Sequence, residues 1–237
     1  MNNIQALDNI LLSSNATENF KSALANPEFR NWLLSIMPEI ADIEKQKQDN
    51  PWHIYDCLDH ILHSVEEMNK LSANLPEKDR RMLAYTMFYH DSGKPASYIR
   101  RYGKAYGREI DSFFNHNIAS ARIAKRTANC FEFTLKEAKV IENLVLDHDI
   151  FMYITEDKTF NPYHKELTNE VILEEAQKLS SFGDGKTLMQ YLILVGRADN
   201  KAQNPELTAK PLHMLETMEK MLKNLPNEAF ETQKQKG

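Results

Sequence analysis

The amino-acid sequence predicts an all-α protein carrying one small β-hairpin near residues 97–108. Three observations predict it. Glycine is scarce, with seven among 237 residues. Apolar side chains recur at intervals of three and four, as on the buried face of a helix. No strict apolar–polar alternation runs beyond a few residues, which leaves little room for half-buried strands.

The elements follow in order. Residues 4–46 read as two or three short helices, with Asn26-Pro27-Glu28 as one start, because a first helical turn does not need the N–H that proline lacks. Pro38-Glu39 marks another start, and residues 47–51 form a polar connector. Ile54, Leu58, Ile61, Leu62 and Val65 share one stripe and place a helix over about 53–72. Further helices are expected over 77–91, 111–130, 134–149, 165–180, 185–203 and 208–224. The segment 97–108 departs from this pattern. It holds two glycines and alternates Tyr98, Tyr102 and Tyr106 with Arg100, Arg101, Lys104 and Arg108, which suits a hairpin or an ordered loop. The expected organisation is an N-terminal helical segment over 1–50 packed on the core, a main domain over 51–224, and a polar tail over 225–237.

Composition narrows the function. Hydrophobic residues make up 42% and charged residues 27%, enough to build a core. The formal net charge of −5 argues against a broad nucleic-acid surface, though not against a local basic patch. Cys57 and Cys130 are the two cysteines, too few for a disulfide scaffold or a thiolate zinc site. Met1-Asn2-Asn3-Ile4 lacks the basic and apolar regions of a signal peptide, and the longest apolar run, Leu192 to Val195, falls far short of a bilayer span. A cytoplasmic protein with no membrane partner is the expectation.

The chemistry concentrates in histidines and aspartates. His90-Asp91-Ser92-Gly93-Lys94-Pro95 closes the helix over 77–91; Gly93 lets the backbone turn away and Pro95 stops the helix. Asp199 shares a face with Leu192, Val195 and Ala202, so its carboxylate projects from apolar surroundings. Burying it unpaired costs several kcal/mol, and Arg197, two residues away, points elsewhere. His148 continues the stripe of Ile141, Leu144 and Val145. His116 is followed one turn on by the small residues Ala119 and Ser120, which let another element approach closely. His60 lies at the margin of its apolar stripe, on the side of His53, Cys57 and Ser64, whereas His63 falls on the solvent side. Each histidine alone suits a satisfied core residue. Several such positions together favour a metal centre. His164 and His213 have no supporting context and read as surface residues, and His53 suits a helix entry.

The order His60, His90-Asp91, Asp199 resembles the four-ligand signature of the HD superfamily of metal-dependent phosphohydrolases, and His116 with His148 resembles its six-ligand, two-metal version. More narrowly, Met37-Pro38-Glu39-Ile40, Gln48 to His53, Tyr55 to His60, His90 to Pro95 and Phe114 to Ala121 are similar to the HD domain of bacterial CCA-adding tRNA nucleotidyltransferases. The resemblance covers roughly residues 20–205. The nucleotidyltransferase head is absent: no Gly-Ser pair precedes a strand of paired aspartates, and Asp184 stands isolated. The resemblance therefore implies a free-standing HD helical bundle that hydrolyses phosphomonoesters or phosphodiesters of a small molecule, a nucleotide or an RNA end, such as a 2′,3′-cyclic phosphate.

It also implies roles. His60, His90, Asp91 and Asp199 would hold one ion, and His116 and His148 a second, with Asp91 bridging and catalytic; with one ion only, His116 and His148 would instead bind the phosphate directly. A nitrogen-rich set of this kind suits divalent Mn, Fe, Co, Ni or Zn better than Ca or Mg, with a single Mg still compatible. Two such ions would lower the pKa of a water and clamp the phosphoryl oxygens during in-line attack. Lys94 would be catalytic, contacting the substrate phosphate and offsetting charge that builds in the transition state, with Arg100, Arg101 and His53 as further substrate contacts. The basic hairpin reads equally well as a solvated surface. The competing reading is a non-catalytic HD module that binds a nucleotide or RNA end.

Overall fold

The structure is a computed structural model and describes residues 2–156 and 163–231. Twelve α-helices and two two-stranded sheets are found among them. The predicted all-α class with a small hairpin is what the chain forms.

Four helices build the N-terminal part: α1 (Asn3–Leu11), α2 (Ala16–Leu24), α3 (Pro27–Ile36) and the short α4 (Ile40–Ile43). Local chemistry sets their starts. Asn2 and Gln5 form a reciprocal capping box on α1, and Asn26 caps α3 with Pro27 in its first turn. Their buried faces, which include Leu7, Phe20, Leu33 and Ile43, belong to one apolar cluster that continues through Ile61, Phe88, Leu144, Leu192 and Leu215.

The site is positioned by the next layers. These are α5 (Cys57–Leu71), α6 (Glu77–His90), α7 (His116–Thr127), α8 (Leu135–Leu146), α9 (Asn169–Leu179), α10 (Gly185–Lys201), α11 (Pro205–Asn224) and α12 (Glu228–Glu231). α5 packs against α6 and α10, α6 against α8, and α7 against α8, so the ends of α6 and α8 meet the start of α7. Thr134 and Glu137 form a capping box on α8, and Asp184 caps α10 through the Thr187 N–H.

The hairpin is present but shifted. β1 (Ile99–Gly103) pairs antiparallel with β2 (Arg108–Ser112), with Ile99 opposite Ser112 and Gly103 opposite Arg108. Gly107, at φ 65°, supplies the left-handed residue in the turn. β2 therefore takes Asp111 and Ser112 from the helix expected over 111–130, which begins only at His116. The 48–50 segment docks on β2: the Asp111 N–H donates to the Asp49 carbonyl at 2.9 Å, and the Asp49 N–H donates to Asp111 Oδ2 at 2.7 Å. A two-residue parallel bridge joins β3 (Ile154–Thr155) to β4 (Lys165–Glu166).

Several boundaries differ from expectation for local reasons. The helix expected from 53 begins at Cys57, and the Cys57 N–H donates to the Gln46 carbonyl at 3.0 Å, tying the start to the preceding loop. Ile54 is consequently 54% exposed rather than part of a core stripe. α8 ends at Leu146, so His148 follows the helix rather than riding on it. The helix expected over 165–180 spans only Asn169–Leu179, because Thr168 caps it. The polar tail divides: α12 occupies Glu228–Glu231, and residues 232–237 lie outside the described residues.

Candidate metal centre

The turn after α6 is the pivot. α6 delivers His90 as its last residue and Asp91 as its cap, both buried. Gly93 does not adopt a left-handed conformation. It is required for a different reason: a Cβ there would stand 2.5 Å from the His116 carbonyl and 2.5 Å from the Ser120 nitrogen. The Gly93 N–H also donates to Ser120 Oγ at 2.8 Å. Glycine here is thus the condition for α7 to approach the turn, and the small residues Ala119 and Ser120 are its counterpart on α7.

Four side chains from three helices and this turn form one group. His60 Nε2 lies 3.0 Å from Asp91 Oδ2 and 3.0 Å from Asp199 Oδ1. His90 Nε2 lies 3.3 Å from Asp91 Oδ2 and 3.6 Å from Asp199 Oδ1, and 3.3 Å from His60 Nε2. Across the other oxygen of Asp91 stands a second group. His116 Nε2 is 2.9 Å and His148 Nε2 3.7 Å from Asp91 Oδ1, and the two ring nitrogens are 3.2 Å apart. These two sets, His60–His90–Asp91–Asp199 and Asp91–His116–His148, are compact enough that each could hold one metal ion.

The hydrogen bonds around the rings define the donor set. Each of the four imidazoles turns Nδ1 to a backbone carbonyl: His60 to Ala202 (3.3 Å), His90 to Met87 (2.6 Å), His116 to Phe113 (2.8 Å) and His148 to Val145 (2.7 Å). A ring that donates Nδ1–H to a carbonyl is, when neutral, the tautomer with a lone pair on Nε2. Four such lone pairs then converge with carboxylate oxygens, an arrangement that needs protons or cations between the atoms. Donors about 2.1 Å from a common ion lie about 3.0–3.4 Å apart, from simple polyhedral geometry. The observed separations cluster around that range, so the residues fit divalent ions.

Without an ion the site compensates by protonation. Burial opposes a charge on His90, but Asp91 and the hydrogen bond to Asp199 outweigh it and push its pKa up to about 10. Burial likewise opposes the Asp91 charge, yet His90 and Lys94 hold it well below the usual carboxylate range. Asp199 is held low against burial by hydrogen bonds from His60 and His90. Gln203 donates to both Asp199 oxygens, at 3.0 and 3.1 Å, and Arg197 is turned away to Glu219.

Lys94 is buried, with Nζ 2.5 Å from Asp91 Oδ2. It also donates to Gln48 Oε1 at 2.6 Å and to His53 Nε2 at 2.9 Å, so its three protons all have protein acceptors. His53 faces Asn50 Oδ1 through Nδ1 at 2.9 Å, and burial together with Lys94 keeps its pKa well below the ordinary value. His53 therefore reaches the site from the loop before α5, packed edge-on to His60 with ring centroids 4.9 Å apart.

Arg100 and Arg101 sit on the hairpin and do not join the cluster. Arg100 is bound by Asp49 at 2.8 Å and Asp111 at 2.7 Å. Arg101 donates from Nε to Ser112 Oγ at 2.7 Å, and its Cζ lies 5.0 Å from the centroid of the exposed Phe114 ring. His63 pairs with Glu66, and His164 and His213 are exposed.

The sequence reading missed Asp149, Gln48, Asn50 and Gln203. Asp149 had a signal, since His148-Asp149 repeats the dipeptide His90-Asp91. Gln203 lies one turn after Asp199. Gln48 and Asn50 act from a loop and carry no periodic signal.

No protein-family model matches the chain. No helix among the described residues is long and apolar enough to cross a membrane. The site itself identifies the molecule as a helical protein whose buried His/Asp cluster is compatible with an HD-type metal centre and with metal-dependent hydrolysis.

Proposed function

We propose that this chain is a metal-dependent phosphohydrolase of the HD type that cleaves phosphomonoesters or phosphodiesters, with a nucleotide or an RNA end such as a 2′,3′-cyclic phosphate as substrate. One observation carries the reading. Asp91 is buried between two groups of imidazoles, and each of its oxygens faces a different group. That is the donor arrangement a carboxylate-bridged pair of ions requires.

A bound pair of divalent ions supplies Lewis-acid stabilisation of phosphoryl oxygens and a nucleophile at neutral pH. The chain's own residues supply the rest. The four carbonyls that accept from Nδ1 fix ring orientation, so little reorganisation is needed when the site loads. Lys94 offsets the Asp91 charge, and its exchange of Gln48 or His53 for a phosphoryl oxygen would neutralise charge developing on the substrate. His116, Asp149 and Asp199 keep side-chain exposures of 13%, 23% and 13%, against 3% for Asp91, so the substrate reaches the site past these three side chains. Phe114 and Arg101 stand two residues and one strand away from His116, suited to stack on a base and contact a second phosphate. In this reading residues 51–224 carry the metal ligands and Lys94, and 1–50 buttress them, with Gln48 accepting from Lys94 and Asn50 facing His53.

The test is elemental analysis of purified protein, followed by a panel of phosphate esters and cyclic nucleotides with Mn, Co, Ni and Mg. Turnover that is lost in Asp91→Ala together with bound metal is expected. A metal-free protein that stays inactive with every ion would overturn the proposal, as would an Asp91→Ala variant that still turns over. Tight nucleotide binding without turnover would instead favour the non-catalytic module.

A further inference from the structure

The geometry points to Asp149 as a fourth protein ligand of the second ion, beside Asp91, His116 and His148. The inference rests on the two-metal reading above and deepens it.

Asp149 Oδ2 lies 3.4 Å from His116 Nε2, and Asp149 Oδ1 lies 3.4 Å from His148 Nε2. Those spacings match the separation of donor atoms around one first-row ion, as derived above for the other pairs. The two imidazoles see different oxygens, so the carboxylate presents its open face to the point between them. Its backbone position offers an alternative that it declines. Asp149 precedes the short 3₁₀ turn Ile150–Tyr153, where an aspartate is a favoured cap, yet its side chain makes no capping hydrogen bond. The described partners of this carboxylate are the two ring nitrogens instead.

Two consequences give the assignment physical weight. First, the two halves become alike: His60, His90, Asp91 and Asp199 on one side, His116, His148, Asp91 and Asp149 on the other. Each half then has two imidazoles and two carboxylates, with Asp91 shared. Second, the charge is better balanced. Asp91 and Asp199 alone bring −2 against the +4 of two divalent ions, and Lys94 adds a further positive charge beside Asp91. Asp149 brings the carboxylate total to −3, which matters in a site where uncompensated charge is costly. It also makes the second half less nitrogen-rich, and so more suited to Mn than a bare imidazole pair would be.

The experiment is manganese titration of the metal-stripped full-length protein, followed by calorimetry and by electron paramagnetic resonance of bound Mn. Wild type should take up two equivalents and show a spin-coupled pair. Asp149→Asn, which preserves volume, should keep one tight equivalent, weaken the second at least ~100-fold, and show an isolated Mn signal. Asp147→Asn, the neighbouring cap of α8, should leave both equivalents intact. Circular dichroism of each variant controls for folding, and Asp149→Glu should recover part of the second equivalent. Two equivalents of unchanged affinity in Asp149→Asn would overturn the assignment while leaving the function standing. A wild type that takes up one equivalent would remove the second site, and one that takes up none would remove both readings.

Discussion

His60 and His90 face each other through Nε2 atoms 3.3 Å apart, while both Nδ1 atoms are turned to backbone carbonyls. Two lone pairs cannot share that space unless something positive lies between the rings. In the metal-free protein a proton does so: Asp91 and Asp199 push the pKa of His90 up to about 10 against the burial that opposes it. A group whose folded pKa exceeds its unfolded value stabilises the fold fully below the unfolded value and loses that contribution as pH climbs through the folded value. The metal-stripped protein should therefore lose thermal stability progressively between about pH 6.5 and pH 10, the window set by the ordinary histidine value and the raised one. A metal ion replaces the proton, so the loaded protein should show a flatter profile across the same range. Melting curves with and without chelator decide it; parallel profiles would show that the proton is not what holds the rings together.

Gly93→Ala should separate the two halves of the centre. The added methyl would sit 2.5 Å from the His116 carbonyl and the Ser120 nitrogen, which are backbone atoms that yield only if α7 moves. Overpacking of this kind costs about 1–3 kcal/mol or more. Because His116 opens α7 and its Nε2 is 2.9 Å from Asp91 Oδ1, the shift should loosen the second ion while His60, His90 and Asp199 keep the first. Metal stoichiometry falling from two to one, with a lower Tm, is the expected result. Unchanged stoichiometry would mean that the contact between the turn and α7 does not set the spacing.

Much of this centre is legible in the sequence, and for a physical reason. An ionisable side chain on an apolar helical face needs an explanation, and His60, His90 and Asp199 announced themselves in that way. His116 and His148 were readable from the same logic, although His148 proves to lie just past the end of α8. Asp149 was overlooked because the expected helix ran through it, hiding the turn that swings its carboxylate toward His116. Gln48 and Asn50 lie in the Gln48 to His53 segment that carries part of the resemblance, but no periodicity assigns their contacts, since the loop is positioned by tertiary bonds such as Cys57 to Gln46. The sequence points to Gly93 through the turn it occupies, whereas the helix packed against it is what demands glycine.

Lys94→Met should separate two contributions of the ammonium. Its Nζ is 2.5 Å from Asp91 Oδ2 in a buried setting, so removing it strands a carboxylate that burial already disfavours. Breaking one partner of a buried pair costs about 3–5 kcal/mol. The metal-free variant should melt well below wild type. Divalent ions should recover most of the difference, because they neutralise the same carboxylate. Turnover of the loaded variant should remain low if Lys94 also meets the substrate phosphate. A metal-free variant as stable as wild type would show that His90 alone balances Asp91.

The two hairpin arginines should behave differently when replaced by alanine. Arg100 ties Asp49 to Asp111, at 2.8 and 2.7 Å, and so fastens the hairpin to the 48–50 loop whose Gln48 holds Lys94. Arg100→Ala leaves the buried Asp111 carboxylate with only the Asp49 N–H, which destabilises the fold. A lower Tm is the expected result. Arg101 carries no such structural duty: Nε bonds Ser112, and the guanidinium lies over the exposed Phe114 ring. Arg101→Ala should leave the Tm within about 2 °C, since surface changes of this type stay near ±0.5 kcal/mol. It should raise KM for nucleotide substrates severalfold with kcat little changed, and the effect should shrink at high salt as screening weakens a surface charge. A KM that does not move in Arg101→Ala would make the hairpin a solvated surface and place substrate selection elsewhere around the mouth.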